Sequence, residues 1–289
     1  MQQETFRPQE TQRQIGLFCV LLITFSGIFY GLLVLSAGTA ERWLSSPLPG
    51  LFMWCPGAAA LVTCLLTRRS VRGLGWSWGG LRYYAMAYAL PLAFGLPVYA
   101  LLWWSGLGEF DPARLHALAA KTILPPGPVG LAGAVLVVLV LAPFGVVSAL
   151  GEEIGWRGFL VPRLGRLVDL RRTSLIIGLL WSLWHYPLIF LVVPNLLPEL
   201  PIWFGTLCFT MMVVAASGIY TWLRVRSDSV FPAALLHATS NTFLFGMDRL
   251  TVHHTPFFSH EYGLGLAIAI PLVAWPFWRR LSDLDQVDK

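Results

Sequence analysis

Apolar residues run through this chain in long uninterrupted blocks, and charge is confined to the gaps between them. Eight stretches, 14–40, 43–67, 83–108, 122–151, 173–198, 200–223, 229–247 and 262–278, hold no Asp, Glu, Lys or Arg. Each is close to or longer than the ~20 residues a helix needs to cross ~30 Å of hydrocarbon. The last contains Pro271 and Pro276, and its Trp275 and Trp278 suit the level of lipid headgroups. The pattern predicts about eight transmembrane helices, and hence an all-α, polytopic membrane helix bundle.

Composition points the same way. With 56% hydrophobic and 12% charged residues, the 289-residue chain carries more apolar surface than one water-facing core can hide. Lys and Arg then set an orientation. If the N-terminus is cytoplasmic, 16 of the 20 basic residues fall on that side, and only Arg42, Arg114, Lys121 and Arg249 fall on the other. This is the asymmetry of the positive-inside rule, and it predicts cytoplasmic N- and C-termini in a multi-pass protein of the cell membrane. The net charge of +5 is therefore mainly a topological signal, with adhesion to anionic lipid as a secondary effect and no case for nucleic acid. Ile15 to Ala37 is longer than the apolar region of a signal peptide, so the first span is expected to be retained. Cys19, Cys55, Cys64 and Cys208 fall inside spans, where they behave as small apolar residues, and they form no metal or redox motif.

No internal repeat or long linker divides the chain. The expected organisation is a polar segment 1–13, one transmembrane domain 14–279 and a polar tail 280–289, with the longest external loop running from Ser105 to Pro128. The spans differ in character. Those in 14–108 hold no ionisable residue, whereas those in 122–247 hold several, and a titratable group in a membrane is costly unless it is paired or faces a cavity.

Three clusters stand out. In Glu152-Glu153-Ile154-Gly155-Trp156-Arg157, Glu153 and Arg157 are four apart and share a helix face, while Glu152 points about 100° away and has no partner in its own helix. If the water boundary lies near Arg163, Glu152 sits roughly 15 Å inside, which calls for a long, tilted or broken helix around Pro143 and Gly145. The second cluster, Trp181 to Pro187, places His185 about 18 Å from the cytoplasmic end of its span, one turn beyond Trp181 on the same face. The third, His237-Ala238-Thr239-Ser240-Asn241, stacks His237 and Asn241 on one face about 12 and 18 Å deep. Taken singly, each also fits a structural role: a surface ion pair, a packed histidine, or polar glue between helices. All three nevertheless share one depth band, which favours a common site. His116, His253, His254 and His260 fall in external loops and are expected to face solvent.

Glu-Glu-x-x-x-Arg at 152–157, aromatic-x-x-x-His at 181–185 and His-x-x-x-Asn at 237–241, in that order on membrane helices, resemble the CAAX prenyl protease and bacteriocin-processing family of intramembrane proteases, which includes the lysostaphin-resistance type. The resemblance covers about 128–247. One departure is Trp181, where the family commonly has Phe. The resemblance implies an intramembrane endopeptidase acting on a membrane-associated peptide or protein. In it, Glu152 and His185 would activate water, His237 and Asn241 would bind substrate or the oxyanion, and Glu153, Arg157 and Trp181 would shape the site. Peptide hydrolysis needs such parts, a base for water and donors for the developing oxyanion. Glu152, His185 and His237 would also make a two-histidine, one-carboxylate set able to hold zinc, so metalloprotease and metal-free glutamate protease both stay open. Two other classes fit the same residues: a proton-coupled transporter using them as a relay, and a non-catalytic membrane immunity or scaffold protein.

Overall fold

The computed structural model describes residues 7–35, 43, 46–119 and 131–287. Arg42, Lys121 and the Pro125 to Pro128 end of the external loop lie outside the described residues, as does the side chain of His116. The described chain is almost wholly helical. In order it forms α1 (Pro8–Leu35), α2 (Leu48–Phe52), α3 (Cys55–Leu66), a 3₁₀ turn (Val71–Leu74), α4 (Leu81–Trp104), α5 (Pro112–Ala119) and α6 (Leu131–Glu153). A π-helical segment (Ile154–Leu160) joins α6 to α7 (Val161–Leu164), and α8 (Leu170–Leu196), α9 (Ile202–Ser227), α10 (Phe231–Arg249) and α11 (Leu264–Val287) follow. A two-residue β-ladder pairs Glu109 with Val252 and Phe110 with Thr251, tying together the loops after α4 and α10.

The chain is an integral, multi-pass membrane protein. Among the described residues six helical segments are long and apolar enough to cross a membrane: Pro8–Leu35, Leu48–Leu66, Leu81–Trp104, Leu170–Leu196, Ile202–Ser227 and Leu264–Leu284. The other two expected stretches are helices as well, α6 and α10. Helix α10 carries His237, Thr239, Ser240, Asn241 and Asp248, so it trades apolarity for chemistry and is enclosed by neighbours instead of lipid. The stretch from 262 stays helical in spite of its prolines and is among the six candidate spans, and its helix continues through Val287 into the polar residues after 279.

Helical bonding within each segment is what lets a backbone enter hydrocarbon. The outer surface shows the same solvent. Val20 is 61% exposed, Ile23 72%, Leu65 74% and Leu272 70%, a pattern that acyl chains satisfy and water does not.

The packing order places the site helix at the centre. Helix α6 packs mainly on α10, α10 also on α4, α8 on α9, α9 on α11, and α3 on α6 and the π segment. The approach of α3 is close because glycines line it. A Cβ at Gly151 would come within 2.7 Å of the Met53 carbonyl, and one at Gly155 within 2.5 Å of the Pro56 side chain. Small residues permit this approach between membrane helices.

Of the forms expected for the helix carrying Glu152, α6 is the long one: it passes Pro143 and Gly145 without a break, and the irregularity lies eleven residues beyond Pro143, in the π segment that begins at Ile154. A π turn widens the helix by one residue per ladder step and re-aims its side chains, and such turns recur at functional sites.

Candidate active site

Glu152 is the penultimate residue of α6, and the π segment begins two residues on, so the helical run continues past it. The carboxylate is 2% exposed. Its Oε2 accepts two indole N–H bonds, from Trp181 at 2.6 Å and Trp156 at 3.2 Å. Trp156 lies four residues on in the same helical run, so the expectation that Glu152 lacks a partner within its own helix is wrong. The partner is an indole N–H, a neutral donor that a pattern of charges does not reveal. Both donors converge on one oxygen, which leaves Oε1 as the available atom.

Glu153 faces the other way, fully buried, and its Oε1 receives Arg157 Nη1 at 3.1 Å and His237 Nδ1 at 2.9 Å. Arg157 is itself sandwiched between rings, 4.3 Å from Trp181 and 4.2 Å from Tyr220, so its faces meet π-electron density while its edge meets the carboxylate. This buried pair is held from three helical segments at once. It fixes the π segment, Trp181 on α8 and His237 on α10 relative to one another.

His185 projects from α8 with its Nδ1 at 2.9 Å from the Trp181 carbonyl. A carbonyl only accepts, so Nδ1 carries the proton and Nε2 keeps its lone pair. The His237 ring is constrained in the same way by Glu153, which again assigns the proton to Nδ1 in the neutral ring. Aromatic edges complete the walls: His185 meets Trp184 and Phe209 at centroid distances of 4.8 and 5.1 Å, and His237 meets Trp181 at 5.4 Å.

Glu152, Trp181, His185, His237 and Asn241 line one cavity of about 290 Å³. Its remaining surface is largely apolar, with Phe94, Leu188, Val192, Phe209 and Met212 among the lining side chains. Glu153 and Arg157 stand behind this wall instead of in it. All seven residues singled out in the sequence are thus gathered around one place, in two layers.

Tyr220 and Glu261 also line this cavity, and neither is visible in the motifs. Tyr220 belongs to an α9 with no ionisable residue before Arg224, so only packing reveals it. Glu261 lies in the loop before α11, where burial pushes its carboxyl above the usual range and the Tyr262 hydroxyl opposes that by hydrogen bonding. The histidines around the α10–α11 loop are not simply solvated. His260 Nδ1 lies 2.5 Å from Asp248, which also accepts from Tyr99, and His254 packs against the His260 ring.

A zinc ion would need Glu152, His185 and His237 as ligands. Their donor atoms are chemically suitable, since both imidazoles offer Nε2 lone pairs. Their placement is not: among the described residues no three His, Cys, Asp or Glu side chains are grouped to hold one ion, and Glu152 Oε2 is already taken by two indoles.

Comparison with known proteins falls on the same part of the chain. Residues 132–243 match the family described as "Type II CAAX prenyl endopeptidase Rce1-like". A relative, "CAAX prenyl protease 2" of Methanococcus maripaludis, is 35% identical over 100 residues, which is 33% of this chain and 36% of that protein. The match thus spans about a third of the relative's length. The segment that carries Glu152, His185, His237 and Asn241 is thus similar to CAAX prenyl proteases.

Proposed function

We propose that this protein is an intramembrane endopeptidase that hydrolyses a peptide bond in a membrane-associated peptide or protein, in CAAX-type or bacteriocin-related processing. The observation that carries this reading is the convergence of Glu152, His185, His237 and Asn241, from three separate helices, on one largely apolar cavity. Such a cavity suits an apolar substrate segment held at its polar end.

Water bound between Glu152 Oε1 and His185 Nε2 gives a proton to the carboxylate as its oxygen attacks the substrate carbonyl. The tetrahedral oxyanion takes a hydrogen bond from the Asn241 amide, a neutral donor that cannot serve as base. The proton on Glu152 then passes to the amide nitrogen as the C–N bond breaks, releasing an amine and a carboxylic acid that keeps the second water proton. His237, with Nδ1–H held by Glu153, presents Nε2 as an acceptor and positions substrate N–H groups or water. Glu153 and Arg157 hold the imidazole and Trp181 in place. The arginine distribution supports a reading in which both termini are cytoplasmic and the membrane is that of the cell.

The test compares membrane proteomes of cells carrying the parent chain or Glu152→Gln. An uncleaved precursor that accumulates only with the variant, and that the purified parent protein cuts, supports the reading. A substrate cut equally by the parent and by the folded Glu152→Gln and His237→Ala proteins overturns it.

A further inference from the structure

A second cavity lies at the opposite pole of the charge pattern, at the end of the bundle that the arginine distribution assigns to the cytoplasm. It measures about 310 Å³, and Arg7, Arg69, Arg163 and Arg166 line it together with the hydroxyl-bearing Thr11 and Ser70. They come from the start of α1, the turn after α3, and α7.

Among the described residues the charges do not cancel: Glu10 is the one carboxylate lining the cavity there, and it is engaged by Arg69, whose Nε lies 3.2 Å from Glu10 Oε1. Arg163 is held in place without an acid: Nε donates to Gln14 at 2.8 Å, Nη1 to the Phe159 carbonyl at 3.1 Å, and its guanidinium lies over the Phe159 ring at 3.7 Å. Its electrostatic neighbours include Arg166 and Arg69, which repel it. Arg7 and Arg166 are exposed at the mouth. The positive-inside rule accounts for arginines on this side of a membrane, but it does not account for four from three separate segments turned into one concavity.

Like charges gathered in a concave site cost energy unless an anion completes them, and guanidinium forks match phosphate oxygens. The position selects among phosphate sources. Leu65 and Leu66, just before Arg69, are 74% and 61% exposed, so the cavity lies beside the apolar outer surface, and a lipid packed on that surface would carry its headgroup toward it.

We propose that the cavity formed by Arg7, Arg69, Arg163 and Arg166 is a phosphate-binding site for the headgroup of an anionic glycerophospholipid. Arg163 makes the site continuous with the active-site helix, because it holds the Phe159 carbonyl in the π segment, and Phe159 stacks on Phe18 of α1 at 5.0 Å. The bound headgroup pins α1 to the segment that follows Glu152. This proposal does not depend on the proposed activity.

The experiment uses delipidated full-length protein in a neutral detergent, titrated separately with phosphatidylglycerol, phosphatidylcholine and inorganic phosphate. Bound ligand is counted by native mass spectrometry, and the thermal midpoint is read in parallel. Phosphatidylglycerol should bind more tightly than phosphatidylcholine, and Arg7→Gln/Arg166→Gln should weaken it about tenfold. Arg279→Gln/Arg280→Gln, which removes the same charge from exposed residues at the chain's other end, should leave it unchanged. Equal weakening by both double variants means diffuse surface attraction and overturns the site, as does equal binding of the two lipids with no binding of phosphate. Binding of inorganic phosphate that is lost in Arg7→Gln/Arg166→Gln, without preference for phosphatidylglycerol, keeps the phosphate site and overturns the lipid as its source. Should that double variant not fold, displacement of phosphatidylglycerol from the parent protein by phosphate supplies the same decision, and failure of displacement at saturating phosphate counts against the site.

Discussion

The indole nitrogen of Trp181 donates to Glu152 Oε2 at 2.6 Å, across from one membrane helix to the next, while the face of the same indole lies 4.3 Å from the Arg157 guanidinium. One side chain thus serves both layers of the site, and its two contributions are separable by mutation.

Trp181→Phe keeps a ring against Arg157 but removes the donor to Glu152. A hydrogen bond to a charged group is worth about 1.5–3 kcal/mol. If the bond strengthens or orients the working carboxylate, kcat of the proposed cleavage falls about tenfold to a hundredfold, with the thermal midpoint near that of the parent. Steady-state kinetics beside a thermal melt separate the two, and an unchanged kcat would show that the indole only packs.

The adjacent glutamates should fail in different ways. Glu152→Gln is close to isosteric and should abolish cleavage with little loss of stability. Glu153→Gln leaves Arg157 buried without its counter-charge, which costs about 3–5 kcal/mol, so the protein should lose stability first and activity as a consequence. Melting both variants in detergent checks this, and equal midpoints would contradict the two-layer account.

Gly155→Ala places a methyl group within 2.5 Å of Pro56 and 2.8 Å of its carbonyl, where backbone cannot yield cheaply. Overpacking costs about 1–3 kcal/mol and should push α3 off the π segment. Gly16→Ala, with nothing within 4 Å, serves as the matched control and should leave the midpoint unchanged.

Chelation tests the metal question. Because Glu152 Oε2 is occupied by two indoles and the three candidate ligands are not grouped, cleavage should survive dialysis against a strong chelator. Stoichiometric zinc in the purified protein, lost together with activity, would reverse that expectation and make Glu152, His185 and His237 ligands.

The sequence by itself determined the lipid solvent, the helical class, and which residues to look for at a candidate site. Long charge-free blocks leave the backbone no alternative to helix in hydrocarbon, and titratable groups stand out there because each is expensive. Spacing also carried the Glu153–Arg157 pair, since residues four apart on a helix are neighbours whatever surrounds them. Tertiary structure decided the rest. That Glu152 is held by Trp156 and Trp181, that His237 leans on Glu153, that Tyr220 and Glu261 reach the same cavity, and that four arginines from three segments share another, are contacts between side chains with no fixed separation in sequence. Periodicity reports which face of a helix a residue occupies. It carries no information on which neighbouring helix that face will meet, because in a bilayer that choice rests on close packing and hydrogen bonding between helices instead of on apolarity, which is the same on every lipid-facing side.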